Sequence, residues 1–357
     1  MEAKLSSQSL NFALAMVDKV IGGGVPLPQL AVIKVSCFIG YAQFQATDLE
    51  TYLTIQVPVE QTLEAGAVCV SAERLLSLAK AGSGKVKLLT RNGNLVVQSG
   101  DVKDETFLMP VNEFPNFPIP AYQSTLSTKL LLSAIEKVGF AVAKHKDAMG
   151  YKYLLVDGEG DSVNFVASDV YRFAVFRVDV PFEGRLKLPY SSLELLKELL
   201  EKEGKETIKV GRTEDFVFLA GTDWEMAFRV KYWEHPDYKA VIPKESKTRI
   251  VLDIEELDRA LKEFLNAEEV VFHIDRGLKL TAKRAIEVEI NATVEGQALN
   301  VAFNPKLLKE FTKTNKGTLE ILLVDNKRPA VFKLGENFLY LLRGCSKNPS
   351  SGRPPNL

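Results

Sequence analysis

Phe165-Val-Ala-Ser-Asp-Val-Tyr-Arg-Phe-Ala-Val175 decides how this chain is read, because a degenerate copy, Phe44-Gln-Ala-Thr-Asp-Leu-Glu-Thr-Tyr-Leu53, stands earlier in it. In both, an apolar strand-like run reaches Ala-Ser/Thr-Asp and then resumes, as expected where two strands meet at a polar turn. The chain reads as internally repeated.

The copies lie 121 residues apart, and the same offset holds on either side of them. Leu10, Leu14 and Val17 meet Leu131, Ile135 and Val138, a spacing that predicts two amphipathic helices, each with one buried stripe and one free face. Ser71, Leu75 and Leu78 of a second helix meet Ser192, Leu196 and Leu199, and Pro115 meets Pro236. Ser191 with Glu194, Asp253 with Glu256, and Asn304-Pro305 supply helix-start signals. Alternating β-branched runs at Val86–Leu89, Asn94–Gln98, Val217–Ala220, Val270–Ile274, Ile286–Val294 and Thr318–Val324 read as strands. After Lys247 the order of elements recurs with poor residue matching. The expected architecture is α+β, with similar domains at 1–121, 122–246 and 247–345 and a disordered tail at 346–357.

At 357 residues the chain suits several cores, and its 46% hydrophobic and 25% charged content is that of a globular protein. Met1-Glu-Ala-Lys-Leu-Ser-Ser-Gln8 lacks signal-peptide features, which points to the cytoplasm. Cys37 and Cys69 sit in apolar runs and read as buried thiols, with Cys345 before a polar segment; three scattered cysteines make no disulfide framework. A net charge of −1 argues against nucleic-acid binding by bulk charge and leaves local patches or topology.

No motif for catalysis stands out. His145, His235 and His273 are far apart and begin no metal-ligand spacing. Ala81-Gly-Ser-Gly-Lys85 follows a helix instead of a strand and lacks the Ser or Thr of a phosphate loop, and Gly22-Gly-Gly24 reads as a helix-ending loop. Asp157, Glu159 and Asp161 suggest half a calcium loop, but no closing ligand follows and a hairpin tip accounts for them. Neither a metal nor a cofactor is expected, and an enzyme is the weaker class.

Ala46-Thr-Asp-Leu-Glu50, Phe107-Leu-Met-Pro110 with Glu113-Phe-Pro115, Val166-Ala-Ser-Asp-Val-Tyr-Arg-Phe-Ala174, Pro236-Asp-Tyr238 leading to Val241-Ile-Pro243, and Phe303-Asn304 stand in one order. In that combination the chain resembles the bacterial DNA polymerase III beta-subunit sliding clamps from Leu10 to Arg343. The resemblance implies three clamp domains per chain, a two-chain ring lined by helices, and a non-catalytic processivity role for the replicative polymerase. Its implied partners are double-stranded DNA, a second copy, the polymerase, the clamp loader and other proteins carrying clamp-binding motifs. It also implies a partner-peptide cleft walled by Leu154, Ser168, Val170, Tyr171, Arg172, Phe173, Pro236, Val241, Leu341 and Leu342. DNA-facing candidates are Lys19, Lys80, Lys137, Lys197, Arg259, Lys262 and Lys309 on helix faces, with Lys144, Lys146, Tyr151, Lys152 and Tyr153 in one loop.

Three departures carry expectations. Val170-Tyr171 and Phe173 replace smaller or different family residues and narrow the cleft. Gly24 replaces an arginine, and the polar edge strand Asp101–Thr106 implies a differently built ring seam. The alternative is a clamp-fold peptide-binding module that does not encircle DNA.

Overall fold

Asp253 and Asn304 start helices for the same physical reason: each side chain accepts a hydrogen bond that the first turn leaves unused, from Glu255 N at 2.8 Å and Lys306 N at 2.9 Å. Pro305 then sits in the first turn, where its missing N–H costs nothing. In this computed structural model the described residues are 1–21, 30–80, 84–144, 149–230, 235, 237–282 and 286–345, less the side chains of Leu78, Ala79, Lys80, Val102 and Met149. They include helices α1 (Ser7–Ile21), α2 (Ala72–Lys80), α3 (Thr128–Val138), α4 (Tyr190–Lys202), α5 (Ile254–Leu261) and α6 (Pro305–Thr314). None is long and apolar enough to cross a membrane.

The described residues fall into two compact units, one over Met1–Leu132 and Ser191–Tyr232, the other over Ser133–Tyr190 and the chain from Trp233. The expected middle domain, 122–246, therefore contributes to both. In the first unit, α1 packs beside α2 and across strands Thr51–Pro58 and Tyr41–Thr47. An eight-stranded antiparallel sheet runs Ser124–Ser127, Thr207–Arg212, Phe216–Ala220, Trp224–Arg229, Thr51–Pro58, Tyr41–Thr47, Val32–Cys37, Gly66–Ser71. A second sheet of five strands ends on the edge strand Val102–Phe107.

In the second unit a nine-stranded antiparallel sheet runs Phe182–Pro189, Tyr153–Gly160, Val163–Ser168, Arg172–Val178, Phe338–Leu342, Ala330–Leu334, Thr318–Leu323, Thr248–Asp253, Ala292–Gly296. A four-stranded sheet has Ile286–Ile290 and Leu299–Phe303 at its edges, and α5 packs beside α6. Each large sheet contains a seam between strands remote in sequence. Trp224–Arg229 pairs with Thr51–Pro58, and Phe338–Leu342 pairs with Arg172–Val178.

Local expectations change in three places. Ile286–Val294 is two strands broken at Asn291, the second joining a different sheet. Ser191 lies inside α4, which already begins at Tyr190, so it does not start that helix. Asp157 is no hairpin tip: it is buried and takes hydrogen bonds from Arg185 Nε at 2.6 Å and Tyr238 Oη at 3.0 Å. Cys37 and Cys69 are buried thiols, as expected, and burial pushes both upward in pKa, Cys37 to about 11. Gly22-Gly-Gly24, His145 and most of Ala81-Gly-Ser-Gly-Lys85 lie outside the described residues.

Candidate functional site

The turn after strand Val163–Ser168 is held by its own short polar side chains. Ser168 Oγ donates to Arg172 O at 2.6 Å, and Asp169 Oδ1 accepts from Tyr171 N at 3.2 Å. Val170 is left at φ 81°, a left-handed conformation that costs a β-branched residue roughly 1–3 kcal/mol. The surrounding bonds over-determine the turn, and Val170 and Tyr171 protrude from it, Tyr171 62% exposed. Arg343 N donates to Tyr171 O at 3.0 Å, tying the turn to the end of the terminal strand.

Strand alternation divides the expected cleft residues that lie in strands, Leu154, Ser168, Arg172, Phe173, Leu341 and Leu342, between two faces of the sheet. On the outer face Phe173 stands opposite both Ser168 and Leu341, and Val175 opposite Val166 and Leu339. Leu155, Val166, Val175 and Tyr238 form an apolar cluster there, with Phe173 and Leu339 half-buried against it. The ring of Tyr151 meets Phe173 edge-on at 6.5 Å, and burial raises the Tyr151 phenol above its usual pKa. Val241 is half-buried in the turn after Tyr238, while Pro236 lies outside the described residues.

Leu154, Arg172 and Leu342 are buried on the other face, so Arg172, expected as a wall of the cleft beside the exposed Tyr171, points away from it. Arg172 is 4% exposed. Its Nε donates to Asp169 Oδ2 at 2.8 Å, its second guanidinium nitrogen donates to Phe140 O at 3.0 Å, and the same nitrogen is 2.7 Å from Glu310 of α6. Burial alone would lower the guanidinium; Tyr340, Asp169 and Glu310 hold it above its ordinary value. Burial pushes the Asp169 carboxyl up despite Arg172 and the backbone N–H bonds.

Sequence reasoning missed Leu155, Val175, Leu339 and Tyr238. The period of two from Phe173 finds Val175; Tyr238 requires the contact with Asp157.

The seam of the first unit is an internal comparison. Leu49 has φ 71°, its N–H donates to Thr47 Oγ1 at 2.9 Å, and Asp48 Oδ1 accepts from Glu50 N at 3.0 Å. Tyr52 stands opposite Ala227 as Phe173 stands opposite Leu341, and Phe117, the offset partner of Tyr238, packs edge-on against Tyr52 at 5.2 Å. The outer positions differ in polarity: Lys34, Glu50 and Glu225 stand where the second seam has Leu155, Tyr171 and Leu339. Both seams carry an apolar cluster, with Tyr52, Phe218 and Ala227 in the first; at these outer positions the first seam adds charges where the second adds apolar side chains.

The expected DNA-facing residues are mostly engaged within the protein. Lys19 of α1 pairs with Glu198 of α4, Lys197 with Glu201 at 3.7 Å, and Lys309 Nζ with Asp258 of α5 at 2.6 Å. Lys137 lies over the Phe176 ring at 4.2 Å. Arg259 Nε reaches Glu255 O at 3.4 Å, and Lys262 follows α5 and is exposed. Lys144 is exposed, 3.9 Å from Glu310. Lys152 is half-buried and Tyr153 buried, and Lys146 and the Lys80 side chain lie outside the described residues. Acidic and basic residues nearly balance along the six helices, so the helices do not form a uniformly basic surface.

No family model matches the chain. It is similar to the beta sliding clamp of Vibrio cholerae, 24% identical over 84% of this chain and 87% of that protein, and to that of Pseudomonas putida, 25% identical over 94% and 97%. Among solved structures it is similar to the DNA polymerase III beta subunit of Thermotoga maritima, with TM-score 0.88, 25% identity and coverage of 97% and 99%. The Bacillus subtilis sliding clamp shares the fold at TM-score 0.89 and 18% identity. Repeated helix pairs on antiparallel sheets, matched over nearly the whole length, define a clamp fold. From end to end the chain is similar to bacterial beta sliding clamps, at about a quarter identity.

Proposed function

We propose that this chain is a DNA sliding clamp: a non-catalytic processivity factor of three clamp domains that closes with a second copy around duplex DNA in the cytoplasm. The end-to-end likeness to the Thermotoga maritima beta subunit carries this reading. Near-balanced helix charge supports retention by linkage, with each phosphate contact weak and sequence-independent, so that the ring slides. The edge strand Val102–Phe107, paired on one side with Asn94–Ser99, meets an edge of the partner's four-stranded sheet.

The polymerase, clamp loader and other motif-bearing proteins dock at the turn of the second unit, on the outer-face patch of Val170, Tyr171, Phe173, Leu339 and Val241. The apolar character of that patch, set against its charged counterpart in the first unit, supports the choice of seam. Sedimentation and DNA retention test the proposal together. A dimer that stays on nicked circular DNA and is lost on linearisation is the expected result; a monomer near 39.6 kDa at micromolar concentration overturns the ring. The polar side chains Lys103, Asp104 and Glu105 on the edge strand favour the second reading, a peptide-binding module that does not encircle DNA.

A further inference from the structure

Glu310 of α6 stands between two groups that belong to different tasks. Its Oε2 is 2.7 Å from the buried guanidinium of Arg172, and its Oε1 is 3.9 Å from the exposed ammonium of Lys144. Arg172 closes the turn that presents Val170 and Tyr171, through Asp169 on its side chain and Ser168 on its carbonyl. Phe140 O accepts from Arg172, and Ala143 N, one residue before Lys144, donates to Ser168 O at 3.1 Å. The turn and the chain leading to Lys144 are therefore one hydrogen-bonded assembly, which Glu310 of α6 joins through an ion pair.

Thr51 takes the place of Arg172 in the other seam, and its hydroxyl lies 3.0 Å from that of Ser192 of α4. The ionic bridge belongs to the apolar turn. A carboxylate shared by two cations is drawn toward each, and the buried pair is the stronger because water screens it less.

We propose that Glu310 is a positioning residue for the docking turn and that a phosphate group held by Lys144 tightens it. An anion at Lys144 ends that residue's pull on Glu310, whose carboxylate then rests wholly on Arg172. The turn is held more rigidly when the surface carrying Lys144 is occupied by a nucleic-acid backbone. This inference rests on the docking assignment for its purpose but not for its test.

Hydrogen exchange at the amides of Tyr171 and Arg343 reads the rigidity of the turn directly. Adding a 30-base-pair linear duplex to the full-length dimer, with binding followed separately by anisotropy, slows both amides about fivefold, the low end of ordinary coupling between sites. Lys144→Ala without DNA reproduces the slow exchange, and Glu310→Gln abolishes the response to DNA while its own baseline exchange is faster. Arg172→Met removes the bridge itself and serves as a second variant if folded by circular dichroism. Unchanged amides when DNA is bound, or an equal response in Glu310→Gln, overturns the proposal. If Phe173→Ala leaves partner binding intact while the exchange result holds, the docking assignment fails and the coupling stands.

Discussion

Leu49 and Val170, 121 residues apart, share a left-handed backbone at φ 71° and 81° at matching places in two turns. Each follows an aspartate whose carboxylate accepts from a backbone N–H two residues further on. The turn geometry is thus repeated although the residues placed on it are not.

Glycine at either position relieves that strain, offset by the greater freedom it gives the unfolded chain. Leu49→Gly and Val170→Gly each raise stability by up to ~1 kcal/mol, measured as a shift of the urea midpoint. Val170→Gly also weakens partner docking through loss of an exposed apolar side chain, whereas Leu49→Gly does not. A fall in stability for both would mean that the side-chain contacts outweigh backbone strain.

Phe173→Ala lowers the affinity of a polymerase-derived peptide by about 1–3 kcal/mol, read by calorimetry. Tyr52→Ala, at the matching place in the charged seam, leaves that affinity unchanged. Leu154→Ala acts otherwise: the side chain is fully buried on the opposite face, so the change costs about 2–5 kcal/mol of folding stability. Equal peptide-binding losses for Phe173→Ala and Tyr52→Ala would refute the choice of seam.

Phe107 ends the edge strand of the five-stranded sheet and is 82% exposed. Phe107→Asp places a charge where an apolar contact with the second copy is expected and raises the dimer dissociation constant at least tenfold, about 1.4 kcal/mol. Sedimentation at several concentrations checks this. An unchanged constant removes Val102–Phe107 from the ring seam.

Glu203 accepts from Thr222 N at 2.8 Å, Thr222 Oγ1 at 2.6 Å and Trp224 Nε1 at 3.0 Å. Burial works against its charge, but these bonds hold the carboxyl below the usual carboxylate range. A depressed folded pKa contributes stability above the unfolded value, and that contribution is lost as pH falls through the folded one. Acidification from pH 7 into that range therefore loosens the turn at Trp224, seen as a change in indole fluorescence. Glu203→Gln flattens this dependence, and an identical profile in the variant would show that other groups cause it.

Much of the fold was legible because a repeat makes local signals confirm one another. The stripe Leu10, Leu14, Val17 and its copy Leu131, Ile135, Val138 both form helices, and the caps at Asp253 and Asn304 act as read. The candidate site was less legible. Val170 and Tyr171 emerge at the surface, but Arg172, next to them, turns inward because adjacent strand residues point to opposite faces.

The chain's own order of residues determined the repeat, the helices, the Ala-Ser/Thr-Asp turns and hence the family resemblance, since all are set by contacts within a few residues or by periodicity. Tertiary structure decided which strands from distant parts of the chain form the two seams, and so where Arg172 meets Glu310 and Tyr238 meets Asp157. Register across a seam is fixed by burial on both faces of a sheet. That constraint exists only once the two strands have been brought together.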